Sequence, residues 1–106
     1  MKRVSNHEDS VLKMLREDQD FAIEYLSAAL EEIDEEGGEA VFLQAVRRII
    51  EARLGFTELA RTTGLSRTNL YRQFDTGGNP GLHTLRTVLS ALGIGLSQLV
   101  GHSQTA

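Results

Sequence analysis

The chain has 106 residues, a net charge of −4 and no cysteine. That is one domain's worth of chain, enough for a modest core and too little for an elaborate substrate cleft, and the absence of thiols excludes disulfides, thiolate nucleophiles and cysteine metal sites. No apolar run reaches the ~18 to 20 residues of a membrane span and MKRVSNHEDS has no apolar signal core, so an untargeted, soluble cytoplasmic protein is expected.

Proline occurs once, at Pro80, and no alternating β-branched run of strand length is present, so helices should dominate. Residues 1–17 are expected as a partly ordered N-terminal arm, with a turn or two at Val11–Arg16 after Ser10 that needs tertiary packing to persist. A better-marked helix follows Asp18 and Asp20, both cap candidates, with Ala22, Leu26, Ala29, Leu30 and Ile33 recurring on one face. It should run into EEIDEEGG, so that Glu31, Glu32, Asp34, Glu35 and Glu36 crowd its last two turns against the helix dipole until Gly37 and Gly38 break it.

The next helix, about Glu39 to Leu54, carries Phe42, Val46, Ile49 and Ile50 on related faces. Its Arg47, Arg48 and Arg53 suit the carbonyl end, and Gly55 suits a left-handed stop. Three shorter helices are expected at Thr57–Thr63, Arg67–Phe74 and about Leu82–Leu92, then a last turn or two at Leu96–Val100. Gly64, the run Gly77-Gly78-Asn79-Pro80-Gly81, and Gly93 with Gly95 separate them. Together they make a single all-helical domain over 18–100, with residues 101–106 a flexible tail.

Two short helices joined at a glycine are the material of a helix-turn-helix, here spanning 56–74. Ala60 is small enough for a close crossing, Gly64 tolerates positive φ, and Ser66 can cap the following helix. Leu59, Leu65, Leu70 and Phe74 then face inward, leaving Arg67, Thr68, Asn69, Tyr71, Arg72 and, less cleanly, Gln73 outside. Arginine pairs with guanine, asparagine with adenine, and threonine can donate, accept or pack on a thymine methyl. Ser66 suits a phosphate, Arg72 can reach either a base or a phosphate, and Asn79 with the amides opening the next helix suits a phosphate.

Charge divides the same way. Residues 1–44 hold four cations against twelve carboxylates, net −8, and residues 45–106 hold seven arginines against three carboxylates, net +4. Such asymmetry points to two different partners or two different surfaces, the alternative being that both charge sets only keep a small domain soluble. The basic back fits DNA, and the acidic cluster Glu31, Glu32, Asp34, Glu35 and Glu36 would attract a basic protein.

From Phe56 to Val100 the chain resembles the Cro and phage-repressor-like (XRE) helix-turn-helix family. ELARTTGLSRTNLYRQF carries the helix pair, and NPGLHTLRTVLSALGIGLSQLV the proline-led helix and its glycine-terminated successor. Over residues 18–100 the ordered set EYLSAALEE, an acidic break, FLQAVRRIIEAR, GFTELARTTGLSRTNLYRQF and GGNPGLHTLRTVL resembles the addiction-module antidote proteins, which are similar to HigA-type antitoxins. The resemblance implies a lambda/Cro-type repressor-like fold with extra N-terminal helices, and a homodimer that neutralises a small basic RelE/ParE/HigB-like toxin. It also implies that the dimer represses its own operon at a palindromic operator. It puts the base-reading positions on Arg67, Thr68, Asn69 and Tyr71, with Ser66 and Arg72 on phosphates. Phe56 stands where many of the wider group have a glutamine that braces the recognition helix.

Other chemistry is not expected. His7, His83 and His102 lack a second ligand at i+3 or i+4, DTGGNPG lacks the lysine of a phosphate loop, and no nucleophile, base and acid assemble. No metal, cofactor or catalytic activity is therefore expected. A stand-alone phage-like repressor, or an interaction module whose helix-turn-helix is only scaffold, remain the other readings. Ile94, Leu96, Leu99 and Val100 are candidate dimer contacts.

Overall fold

In the computed structural model the backbone is described for residues 2–102 and the side chains for residues 8–100. Of the expected tail 101–106, the backbone of residues 101 and 102 continues the last helix, while residues 103–106 and the side chains of His7 and His102 lie outside the described residues. Among the described residues the chain forms helices only: α1 (Lys2–Glu17), α2 (Gln19–Glu31), α3 (Gly38–Arg53), α4 (Gly55–Thr63), α5 (Arg67–Gln73), α6 (Leu82–Ala91) and α7 (Leu96–His102).

The first helix is longer than the turn or two expected at Val11–Arg16. It persists because it packs on α2 and α3, with Leu15 fully buried and Val11 and Leu12 partly so. Such packing supplies what a short helix lacks in isolation. Asp18 then ends α1 and opens α2, its carboxylate accepting from the Phe21 amide at 3.0 Å. Of the expected α2 stripe, Ala22 and Leu26 are fully buried, and Ala29, Leu30 and Ile33 pack at the core's margin.

The acidic segment differs from expectation. Helix α2 ends at Glu31 with Glu32 as its C-cap, so Asp34, Glu35 and Glu36 lie in the turn to α3, as does Ile33. Only the start of the cluster therefore opposes the α2 dipole, which relieves most of the repulsion foreseen for five carboxylates on a helix end.

Helix α3 is the central element, packed on α1, α2 and α4. Its Phe42, Val46, Ile49 and Ile50 join Leu59, Leu70, Phe74, Val88 and Leu89 in one core. Arg53 closes the far end. Its Nε donates to the Leu15 carbonyl at 2.9 Å and its Nη1 to the Leu92 carbonyl at 2.7 Å, so one guanidinium holds the C-terminal ends of α1 and α6 together. Burial there lowers the Arg53 pKa. Helix α7 returns across α2, where the Ser27 hydroxyl donates to the Leu99 carbonyl at 3.0 Å inside the core.

This return corrects the expected dimer surface. Ile94, in the connection before α7, and Leu99 are each only 1% exposed within the single chain, and Leu96 is half-buried, because α7 packs across α2 and Ile94 joins the same core. Val100 alone of the four is exposed, at 58%.

Candidate nucleic-acid interface

Helices α4 and α5 pack against each other across a three-residue connection, Gly64-Leu65-Ser66. Gly64 has φ +77° and its amide closes the α4 end on the Ala60 carbonyl. A side chain there would be strained by that backbone alone. Thr63 completes the turn: its hydroxyl donates to the Leu59 carbonyl at 2.8 Å and accepts from the Leu65 amide at 3.2 Å. Ser66 is the N-cap of α5, accepting from the Asn69 amide at 3.2 Å. Leu70 and Phe74 are each 1% exposed and anchor the helix to the core, while Leu65 is half-buried beside them.

That anchoring turns the remaining side chains outward. Arg67, Thr68, Asn69, Tyr71 and Arg72 are exposed and Gln73 is half-buried. The exposed face is also held in shape. Arg67 Nε donates to the Thr57 hydroxyl at 2.9 Å, tying the first residue of α5 to the first turn of α4. Arg72 Nη2 donates to Asn69 Oδ1 at 2.8 Å, one turn apart on α5. Asn69 can still donate from its amide nitrogen and accept at the second lone pair of its oxygen.

Tyr71 has supports that the sequence did not reveal. The Phe56 ring, 7% exposed, meets it edge to face with centroids 5.2 Å apart and planes at 72°. The Arg47 guanidinium lies 5.9 Å from the Tyr71 ring centroid, and its Nη1 pairs with Asp75 Oδ1 at 2.6 Å. Phe56 thus braces α5 through its ring contact with Tyr71. Asp75, just past α5, fixes Arg47 in turn. Hydrogen bonds from the Thr76 amide and from Arg47 hold the Asp75 carboxyl below its usual pKa.

The charges leave this end of the molecule cationic. Glu58 is neutralised by Arg61 one turn away, which holds the glutamate pKa down and the arginine pKa up. Asp75 is neutralised by Arg47. Among the described residues Arg67, Arg72 and Arg86 have no carboxylate within ion-pair distance.

Asn79 lies apart from α5, exposed in the loop before α6 and beside Pro80 on the rim of an apolar groove. The loop begins tightly: a Cβ on Gly78 would sit 2.0 Å from the Gln73 carbonyl oxygen, so only glycine lets the chain fold back over the end of α5. The five carboxylates of the acidic cluster are exposed at the α2–α3 turn. His83 is exposed on α6, and among the described residues no group of three or more potential metal ligands comes together. No helix among them is long and apolar enough to cross a membrane.

Fold and surface define a class: an all-helical protein in which a glycine turn presents a short, capped, cationic helix. A family model described as "probable addiction module antidote protein" matches residues 7–100, and the chain belongs to that family. Membership makes the protein an antidote of a toxin-antitoxin module and implies a cognate toxin as its partner. No curated protein and no solved structure matches the chain.

Proposed function

We propose that the protein is the antitoxin of a type II module, neutralising a small basic toxin of RelE/ParE/HigB-like fold and repressing its own operon in the cytoplasm by reading operator DNA through α5. The observation that carries the DNA reading is the outer face of α5: Arg67, Thr68, Asn69 and Tyr71 project from a helix whose other side is locked into the core. In this reading α4 and α5 act as a Cro/XRE-type helix-turn-helix, and α5 enters the major groove.

Each residue has a role consistent with its surroundings. Arg67, aligned by Thr57, suits the two acceptors of guanine, and Asn69, aligned by Arg72, suits the donor and acceptor edge of adenine. Thr68 and Tyr71 supply packing and hydroxyls beside them. Ser66 and Arg72 hold phosphates, and Asn79 holds another with the amides that open α6. None of these groups does covalent chemistry, and the protein is a binder with no cofactor.

In this reading the chain acts as a homodimer, because two copies about a two-fold axis can set their α5 helices one turn, ~34 Å, apart on a palindrome. The reading is tested by titrating DNA from upstream of the gene with the wild type, Arg67→Ala and Asn69→Ala. Each substitution should remove ~1–3 kcal/mol of specific affinity. If both variants bind like the wild type, α5 does not read bases and the unit is scaffold for protein binding. A stand-alone repressor is the reading to adopt if no growth-arresting gene lies beside this one. Family membership supports the antitoxin instead.

A further inference from the structure

The long acidic stretch is the feature that DNA reading leaves unused. From Glu17 to Val46 the chain carries ten carboxylates and no lysine or arginine. Six of them, Glu31, Glu32, Asp34, Glu35, Glu36 and Glu39, cluster around the α2–α3 turn, and all are exposed. Among the described residues none of the six pairs with a cation. Beside this turn opens a groove of about 260 Å³ between the end of α2, the start of α3 and the α6–α7 side. Its walls are apolar, formed by Leu30, Ile33, Phe42, Pro80, Leu85 and Leu96, and Glu39 stands on its edge.

We infer that this groove and its acidic rim are the toxin-docking surface: the groove takes an apolar side chain or short apolar helix of the toxin, and flanking lysines and arginines of the toxin pair with the rim. The inference rests on the antitoxin reading and adds the site to it. Three other occupants are disfavoured by chemistry. DNA could reach no more than the Asn79 edge, because the six unpaired carboxylates repel phosphates from the rest of the rim. A second copy placed across a two-fold axis would set the same carboxylates against each other. A bound cation lacks a ligand set among the described residues. A basic protein with an apolar anchor satisfies both halves, since apolar contact at the centre supplies affinity while charge on the rim steers encounter and partner choice.

The groove also has a shared wall. Gly78, Asn79 and Pro80 line it, and Asn79 belongs to the proposed DNA contact. Toxin in the groove therefore touches the loop that follows the recognition helix.

The test uses the full chain and, as probe, the purified product of a growth-arresting reading frame adjoining the gene, identified first by expressing each neighbouring frame alone. Wild-type affinity for that protein should fall steeply with NaCl. The quadruple variant Glu32→Lys, Asp34→Lys, Glu35→Lys and Glu36→Lys should bind it about tenfold or more weakly and lose most of the salt dependence. Ile33→Gln, in a turn outside any helix, should also weaken binding about tenfold but keep the salt slope. Melting temperatures of the variants and sedimentation of the chain alone serve as controls. If the wild type binds and both variants bind equally well, the surface is wrong while the antitoxin reading stands. If the wild type does not bind, both fail together. Variants that alter self-association instead make this a dimer face and overturn the proposal.

Discussion

Replacing Phe56 with leucine removes one ring while keeping an apolar side chain in the same buried position. The 5.2 Å edge-to-face contact between Phe56 and Tyr71 is within the geometry in which an aromatic pair contributes about 0.5–1.5 kcal/mol beyond its buried area. Leucine is smaller than the ring, so a transfer and cavity loss on the order of 1 kcal/mol adds to this. In a domain of this size each kcal/mol moves the melting temperature by roughly 4–8 °C, so the loss is measurable by circular dichroism. Tyr71→Leu loses the same contact and also the Arg47 guanidinium lying over the ring. The double-mutant cycle of Phe56→Leu with Tyr71→Leu isolates the ring pair, and a coupling of about 0.5–1.5 kcal/mol is expected. Operator affinity should fall in Phe56→Leu as well, although Phe56 is buried and offers DNA no surface. A coupling indistinguishable from zero would refute the claim that Phe56 braces the recognition helix.

Two further outcomes follow from the site and the fold. Asp75 has its pKa lowered in the folded chain, so its stabilising contribution is present above the usual carboxylate range and is lost as pH falls through the depressed value. Urea midpoints measured from pH 6 down to pH 3 should therefore drop less in Asp75→Asn than in the wild type, and an equal drop would mean that the Arg47–Asp75 pair is not maintained in solution. Arg53→Met should destabilise by about 1.5–3 kcal/mol, because charged hydrogen bonds to the Leu15 and Leu92 carbonyls are lost together. Protection of α1 amides from hydrogen exchange should fall with it, and unchanged protection would show that α1 is held by packing alone.

Much of this was legible because local signals agreed. Asp18 and Ser66 read as caps and act as caps, Gly64 read as a left-handed stop and is one, and Leu59, Leu70 and Phe74 read as inward and are buried. What sequence reasoning missed depends on contacts between distant residues. Arg47 lies 28 positions from Asp75, and Arg53 lies 38 and 39 positions from the carbonyls it holds. No periodicity or cap rule reports such pairs. Phe56 read as a missing polar brace because the pattern marks residue type, whereas its role is set by a ring partner 15 residues later on another helix. The first helix was under-read for a related reason: its persistence comes from burying Leu15 against α3, not from its own propensity. Ile94 and Leu99 were candidate dimer contacts, and their burial within the chain was missed because the return of the C-terminal segment over α2 cannot be inferred from a stripe alone.

Selection of binding sites from random duplex DNA tests the central claim most directly. At fixed salt the wild-type chain should converge on one palindrome, with half-sites about one helical turn apart. Asn69→Ala should enrich a pool in which one base position per half-site has become degenerate and the rest of the palindrome is kept. A wild-type pool that stays random, or an Asn69→Ala pool identical to that of the wild type, would contradict the assignment of α5 as the reading helix.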